Sequence, residues 1–271
     1  VSPDLTRHDT TKMGISGVPY TNEGAGGENY CTITYVMESD KEKGVIYTGS
    51  DDGLVHITRD GGTNWTNITP KDLGEALINA IEVSPHDPAT VYIAANKYKT
   101  NDFTPFAYKS TDYGKTWTKI VNGIPYGAFL RVVREDERRK GLLFAGTETG
   151  LYISYDDGAN WEAFQCNLPV SPITDLALKD NDLIVGTQGR SIYILDDLSV
   201  LQQYAEPNFK KSWHVYAPAP VVRMNSGRSG YGTAAASGVN APKGIVIPYW
   251  VDSLTESKSV RVALYDAKGK F

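Results

Sequence analysis

Apolar residues in this chain come in short runs that are set apart by turn residues. Cys31-Thr-Ile-Thr-Tyr-Val-Met37, Gly44-Val-Ile-Tyr-Thr-Gly49, Leu54–Arg59 and Trp65–Thr69 are rich in β-branched and aromatic side chains. Between them lie Glu38–Lys43, Ser50-Asp-Asp-Gly53 and the stretch around Gly61-Gly62. Such runs predict β-strands and such separators predict tight turns. Four short antiparallel strands in about 40 residues is the period of a propeller blade. The pattern recurs, predicting four blades over residues 30–69, 79–120, 124–164 and 173–204.

An eight-residue phrase punctuates the first three of these segments. It reads Thr58-Arg-Asp-Gly-Gly-Thr-Asn-Trp65, then Ser110-Thr-Asp-Tyr-Gly-Lys-Thr-Trp117, then Ser154-Tyr-Asp-Asp-Gly-Ala-Asn-Trp161. Asp60, Asp112 and Asp156 are placed to accept backbone N–H groups of their own turn. Gly62, Gly114 and Gly158 supply a left-handed position. Trp65, Trp117 and Trp161 open the next strand and offer a ring to bury between sheets. The phrase resembles the Asp-box of BNR-repeat propellers, in particular the bacterial sortilin-like and glycosyl-hydrolase-like proteins. The resemblance implies an all-β fold of Asp-box blades, with the three phrases as structural hairpins.

The first two Asp residues of the phrase are 52 positions apart and the next two 44. The excess falls at Asn96–Pro105, an insertion in one turn, and insertions on one face of a repeat array often belong to the binding face. The fourth segment loses the phrase: Leu195-Asp-Asp-Leu-Ser199 has neither the Gly nor the Trp.

Val1–Arg7 resembles the exit of a blade in the same bacterial family, and residues 1–29 are expected to be the end of a preceding blade and a Gly-rich crossing. Residues 205–242, with a Gly/Ser/Ala-rich stretch at Asn225–Asn240, are expected to be a linker. Residues 243–271 are expected to begin a β-sandwich. Four blades with ragged ends predict a fragment of a larger propeller, or one part of a split propeller completed by another chain.

Composition adds exclusions. Seventeen Tyr, five Trp and 26 Gly suit an aromatic, turn-rich β protein, and the net charge of -5 without a basic stripe argues against nucleic acid. The basic residues of Arg131–Lys140 alternate with Glu135, Asp136 and Glu137, which reads as a solvated turn. No apolar run is long enough for a membrane-spanning helix. Cys31, expected in an inner strand, and Cys166 are too few for a disulfide framework and read as two buried thiols. The four scattered His have no ligand spacing, Asp51-Asp-Gly53 and Asp156-Asp-Gly158 lack that of an EF-hand, and no cofactor motif is present. Asn64-Trp-Thr66 and Asn67-Ile-Thr69 match the glycosylation sequon, which matters only in a eukaryotic secretory pathway.

The face opposite the repeated phrases would carry Glu23, Glu28, Asn29, Tyr30, Asp51, Asp52, Tyr126, Glu148, Asp175, Gln188 and Arg190. Aromatic faces stack on sugars and paired carboxylates serve as acid and base or nucleophile, so Glu28, Asp52 and Glu148 are the catalytic candidates. Sialidase-type chemistry would need an arginine cluster, and only Arg190 and Arg131 offer themselves. The sortilin-like resemblance implies a secreted, periplasmic or cell-surface protein. It would bind a glycan or a peptide on its axial face without chemistry of its own. The alternatives are a glycoside hydrolase similar to the BNR-type xyloglucanases and a scaffold subunit of a surface assembly.

Overall fold

The computed structural model of the chain describes residues 2–12, 30–204, 213–221 and 244–252, with 261, 263, 265 and 268–270; Glu23, Glu28 and Asn29 lie outside them. The chain divides into two compact units at Asp196/Asp197.

The first unit is a run of propeller blades, each an antiparallel sheet in chain order. The first blade contains β1 (Ile33–Glu38), β2 (Ile46–Ser50), β3 (Val55–Thr58) and β4 (Thr66–Asn67). The second contains β5 (Leu77–Val83), β6 (Val91–Lys97), β7 (Asp102–Ser110) and β8 (Thr118–Lys119). The third contains β9 (Leu130–Glu135), β10 (Leu143–Thr147), β11 (Leu151–Ser154) and β12 (Glu162–Ala163). A fourth, three-stranded sheet holds β13 (Ile173–Lys179), β14 (Asp182–Thr187) and β15 (Ile192–Leu195). Where the phrase is lost, no fourth strand follows among the described residues. The inner strands β1, β5, β9 and β13 neighbour one another in that order.

The core is the apolar filling between blades. Between the first two, Tyr47, Ile57, Ile78, Ile81, Ile93 and Tyr108 are almost fully buried, and burying such a side chain contributes about 1.5–3 kcal/mol. The repeated phrase adds a latch. The indole N–H of Trp117 donates to the carbonyl of Ile68 (2.6 Å) in the preceding blade, and that of Trp161 to Ile120 (2.9 Å). Gly114 and Gly158 sit under those isoleucines at φ +81° and +84°, and a Cβ on either would lie 2.4 or 2.7 Å from the isoleucine Cδ1. Both positions therefore require glycine twice over, for backbone angle and for space. Trp65 differs: its N–H returns to Gly62 of its own hairpin (3.1 Å).

Recurring backbone bonds sort the turns into two ends. Gly61, Tyr113 and Asp157 of the phrase donate to Gly44, Ala89 and Gly141, all in the turn between the first two strands of the same blade. At the other end Asp51, Glu148 and Gln188 donate to Thr32, Phe129 and Pro172, the residues just before the inner strands of the first, third and fourth blades. In the first and third blades the phrase turn and the second-to-third turn thus lie at opposite ends.

Several local expectations are corrected. The insertion is absorbed mainly by longer strands, with β7 nine residues long and only a 3-10 turn, Tyr98–Thr100, between β6 and β7. A β-hairpin can grow by added ladder pairs instead of unpaired loop, which leaves fewer backbone groups unsatisfied. Arg131 and Arg134 are not in a solvated turn but in β9, with side chains 18% and 13% exposed. Cys31 precedes β1 at φ +70° and is partly exposed, and Cys166 is exposed; both are free thiols, not buried ones.

In the second unit, a short helix α1 (Ser199–Gln203) precedes β16 (Trp213–Val215), which pairs antiparallel with β17 (Tyr249–Val251). β16 falls in the stretch expected as a linker. Of the stretch expected to begin a sandwich, residues 243, 253–260, 262, 264, 266, 267 and 271 lie outside the described residues. Among the described residues no helix is long and apolar enough to cross a membrane.

Candidate functional site

Each inner strand carries a bulge near its start, at Thr34, Asn79, Arg131 and Thr174. A bulge leaves one residue out of the ladder and re-aims its side chain. Thr34 and Asn79 use this to reach the next blade, donating to the carbonyls of Ile78 (2.8 Å) and Arg131 (2.6 Å). Asn96, wholly buried, donates to Leu130 O (3.2 Å) and to the Asn79 side chain (3.3 Å). Two amides of the second blade therefore hold the peptide groups on both sides of Arg131.

Arg131, so held, turns to Glu148 of its own blade. Its Nε donates to Glu148 Oε2 at 2.8 Å, and Nη2 lies 2.6 Å from the same oxygen. The guanidinium also lies 5.3 Å from the Phe129 ring centre and 5.8 Å from that of Tyr98, a distance at which a cation and a ring face attract.

These rings form one cluster. Tyr98 stacks on Phe129 with centres 5.5 Å apart and planes 9° apart. Phe103 meets Phe129 at 6.1 Å and Tyr126 edge-on at 6.3 Å. Tyr98 and Phe103 come from the insertion, and the Gly127 N–H donates to Phe103 O (3.0 Å), pinning the approach to the third blade against it. Phe129 is buried, whereas Tyr98 is 37% and Tyr126 70% exposed.

The remaining sequence candidates scatter around this cluster. Asp52 is fully buried: its carboxylate accepts the Arg7 N–H (2.6 Å) and the Ser50 hydroxyl (2.5 Å), while its carbonyl accepts Arg7 Nε (2.8 Å). It anchors residues 2–12 and offers no oxygen to solvent. Asp51 is half-buried, accepts the Thr32 N–H (2.8 Å), and is pushed above the usual carboxylate range by burial. Tyr30 is buried, and burial also raises its phenol. Gln188 and Arg190 are exposed in the turn of the fourth blade. Asp175 is 70% exposed and accepts from Arg134 (2.9 Å), whose guanidinium also donates to Tyr35 OH of the first blade (2.9 Å) and lies 3.6 Å from buried Glu82.

Glu148 thus pairs with Arg131 beside Phe129 and Tyr98, Tyr126 joins these rings only through Phe103, and Asp51 and Asp52 serve the first blade. Sequence reasoning missed Tyr98, Phe103 and Phe129, and placed Arg131 in a turn. The signal present was the insertion itself. Among the described residues no cluster of His, Cys, Asp and Glu suits a metal ion.

No family model matches this chain. It is 28% identical over 173 residues to a xyloglucanase of Acetivibrio thermocellus, covering 56% of this chain and 20% of that protein. A Paenibacillus xyloglucanase is 27% identical over 162 residues, covering 53% and 15%. The chain thus spans about a fifth or less of these relatives. The crystal structure of a xyloglucanase of glycoside hydrolase family 74 from Xanthomonas campestris superimposes with a TM-score of 0.50 at 21% identity, over 68% of this chain and 30% of that one. The fold is a β-propeller, and the sequence relatives named are xyloglucanases.

Proposed function

We propose that these blades recognise glycan chains on the end that carries the second-to-third turns, as the carbohydrate-binding part of a secreted, glycoside hydrolase-like Asp-box propeller. The observation that carries this reading is the aromatic cluster that exposes Tyr98, beside the Arg131–Glu148 pair, and Tyr126, against Phe103. Rings of this kind cover the apolar C–H face of a sugar while polar neighbours meet its hydroxyls. Sequence similarity to xyloglucanases supports a polysaccharide over a peptide as the ligand.

Hydrolysis by this chain alone is the weaker reading. Asp52 is spent inside the first blade and Glu148 is bound to Arg131, so no pair of open carboxylates faces the cluster among the described residues. The relatives nevertheless keep it alive, with acid and base supplied outside those residues. Completion of the ring by another chain remains compatible with either.

Affinity electrophoresis of the 271-residue chain through gels containing xyloglucan, mixed-linkage β-glucan or polygalacturonate tests the proposal, with reducing-sugar release measured in parallel. Retardation without sugar release is the expected result. Release by the folded chain would establish hydrolysis. Unretarded migration in every gel would overturn the glycan reading and leave peptide binding or assembly.

A further inference from the structure

We infer that two copies of this chain join head to tail and close one ring, the outward face of the first blade in each copy packing on the outward face of the fourth blade in the other. The inference is independent of the glycan reading.

The joints between blades within the chain supply the template. Strand register places Ile33, Ile78, Leu130 and Ile173 at one position of the inner strands, and Val36, Ile81, Val133 and Leu176 at another. In the second, third and fourth blades these side chains are almost fully buried, but in the first Ile33 is exposed and Val36 is 61% exposed. The opposite face shows the same contrast. Val55, Ala107 and Leu151 are buried, whereas Ile192 at the same position of β15 is 67% exposed. Ile57 and Ile153 are buried, and their counterpart Ile194 is 59% exposed.

The two bare faces also match in shape. A Cβ on Gly49 would strike Ile78 (2.3 Å), and one on Gly146 would strike Ile173 (2.7 Å). Each glycine forms the hollow that takes an inner-strand isoleucine of the next blade. Gly186 holds that register in the fourth blade, yet the atoms nearest its Cβ position are Asp175 and Thr174 of its own sheet, at 3.4 Å or more. Ile33 is therefore an isoleucine without a hollow, and Gly186 a hollow without an isoleucine.

Strand edges give a third match. Ile68, Ile120 and Phe164, in the outer strands of the first three blades, donate their N–H groups to Val55, Ala107 and Leu151. Ile192 holds this position in β15, whose outer edge has no partner strand among the described residues. Leu5 supplies the other half. It is buried in a hollow of about 320 Å³ that Gly62 and Trp65 also line. Ile68 stands in the same way against Gly114 and accepts from Trp117. The Leu5 backbone makes no hydrogen bond among the described residues, so residues 2–7 are free to add as a strand to β15 of the second copy. Four sheets from each copy make eight blades, within the usual range of about four to eight for closed propellers. A head-to-tail contact of this kind makes a ring when its rotation closes.

Sedimentation velocity of the 271-residue chain tests the inference, with Val36→Arg and Ile194→Arg as variants and circular dichroism as the folding control. Both side chains lie open on the single chain, so both variants should fold. Wild type should sediment as a dimer. Each variant should weaken association about tenfold or more, because either change spoils both joints of the ring. An equimolar mixture of the two variants retains one joint with neither substitution, so it should associate more strongly than either variant alone. A monomeric wild type would overturn the inference and leave the bare faces to further blades of another kind. Folded variants that dimerise like wild type, or a mixture no stronger than its components, would overturn head-to-tail joining. Species that keep growing with concentration would overturn closure at two copies.

Discussion

The two ends of these blades use similar residues to opposite effect. At the phrase end the three aspartates are turned inward on their own hairpins. Asp60 accepts the Asn64 N–H (2.9 Å) and side chain (2.7 Å), and Asp112 and Asp156 repeat this with Thr116 and Asn160. The groove of about 440 Å³ between the second and third blades at this end is similarly self-paired, with Lys109 bound to Asp157 and Asn122 to Asn160. At the other end Glu148 and Arg131 satisfy half of each other, and two tyrosine rings remain in water. An acidic turn becomes a site only when its hydrogen-bonding capacity is left over after folding. Counting charges along the sequence cannot tell these cases apart.

The largest test compares two copies of one hairpin position. Trp161 is 4% exposed and latched to Ile120, so Trp161→Ala should cost about 3–5 kcal/mol. Trp65 is partly exposed and bonds to its own Gly62, so Trp65→Ala should cost about 1 kcal/mol. Urea midpoints of the two variants measure the difference. Equal losses would mean that the phrase stabilises its own hairpin and not the joint between blades.

Next in size is a group buried between the ends. Burial pushes Glu82 up to about 7, with Arg134 opposing and Glu135 and Asp40 adding to the rise. An acid raised on folding keeps its proton longer in the native state. Stability should therefore be greatest at low pH with respect to this group, fall as pH climbs from about 4.5 to 7, and level off above; the total is up to about 3 kcal/mol. Glu82→Gln should flatten that decline and raise stability at pH 8. An unchanged slope would show that Glu82 is ionised throughout, compensated by Arg134.

The phrase aspartates should act with the opposite sign and less force. The backbone N–H and side chain of Asn64 hold Asp60 at about 2. A depressed acid contributes above its unfolded pKa and loses that contribution as pH falls toward its folded value. Asp60→Asn should flatten the acid limb of the stability curve below pH 4 and leave neutral pH nearly unchanged in slope. A flattened limb at pH 5–6 instead would point to a different carboxylate.

The phrase end was legible because everything it needs is local. Asp60, Gly62 and Trp65 lie within six residues of one another, and spacing alone dictates the turn, the left-handed glycine and the strand start. The other end depends on contacts distant in sequence. Asp51 and Asp52 look interchangeable on paper; the burial of Asp52 follows from Arg7, 45 residues away. Likewise the Arg131 side chain is aimed by a bulge and by Asn79, 52 residues earlier. No turn rule foresees either. The insertion supplies Tyr98 and Phe103, but their rings become a cluster only because Phe129 of the next blade packs against both.

The smallest expected stability effect sharpens the comparison most. Tyr126 is large and aromatic like Trp161, and both touch a neighbouring blade. If Tyr126 is a platform, its ring gives little to folding, because 70% of it stays in water and among the described residues it meets Phe103 only in a T-shaped contact. Tyr126→Ala should then shift the urea midpoint by no more than about 0.5 kcal/mol equivalent, the range of ordinary surface changes. A loss above about 1 kcal/mol would make Tyr126 a staple between the second and third blades. The distinction between an end that spends its side chains on folding and an end that keeps them for a ligand would then fail at the residue on which it leans most.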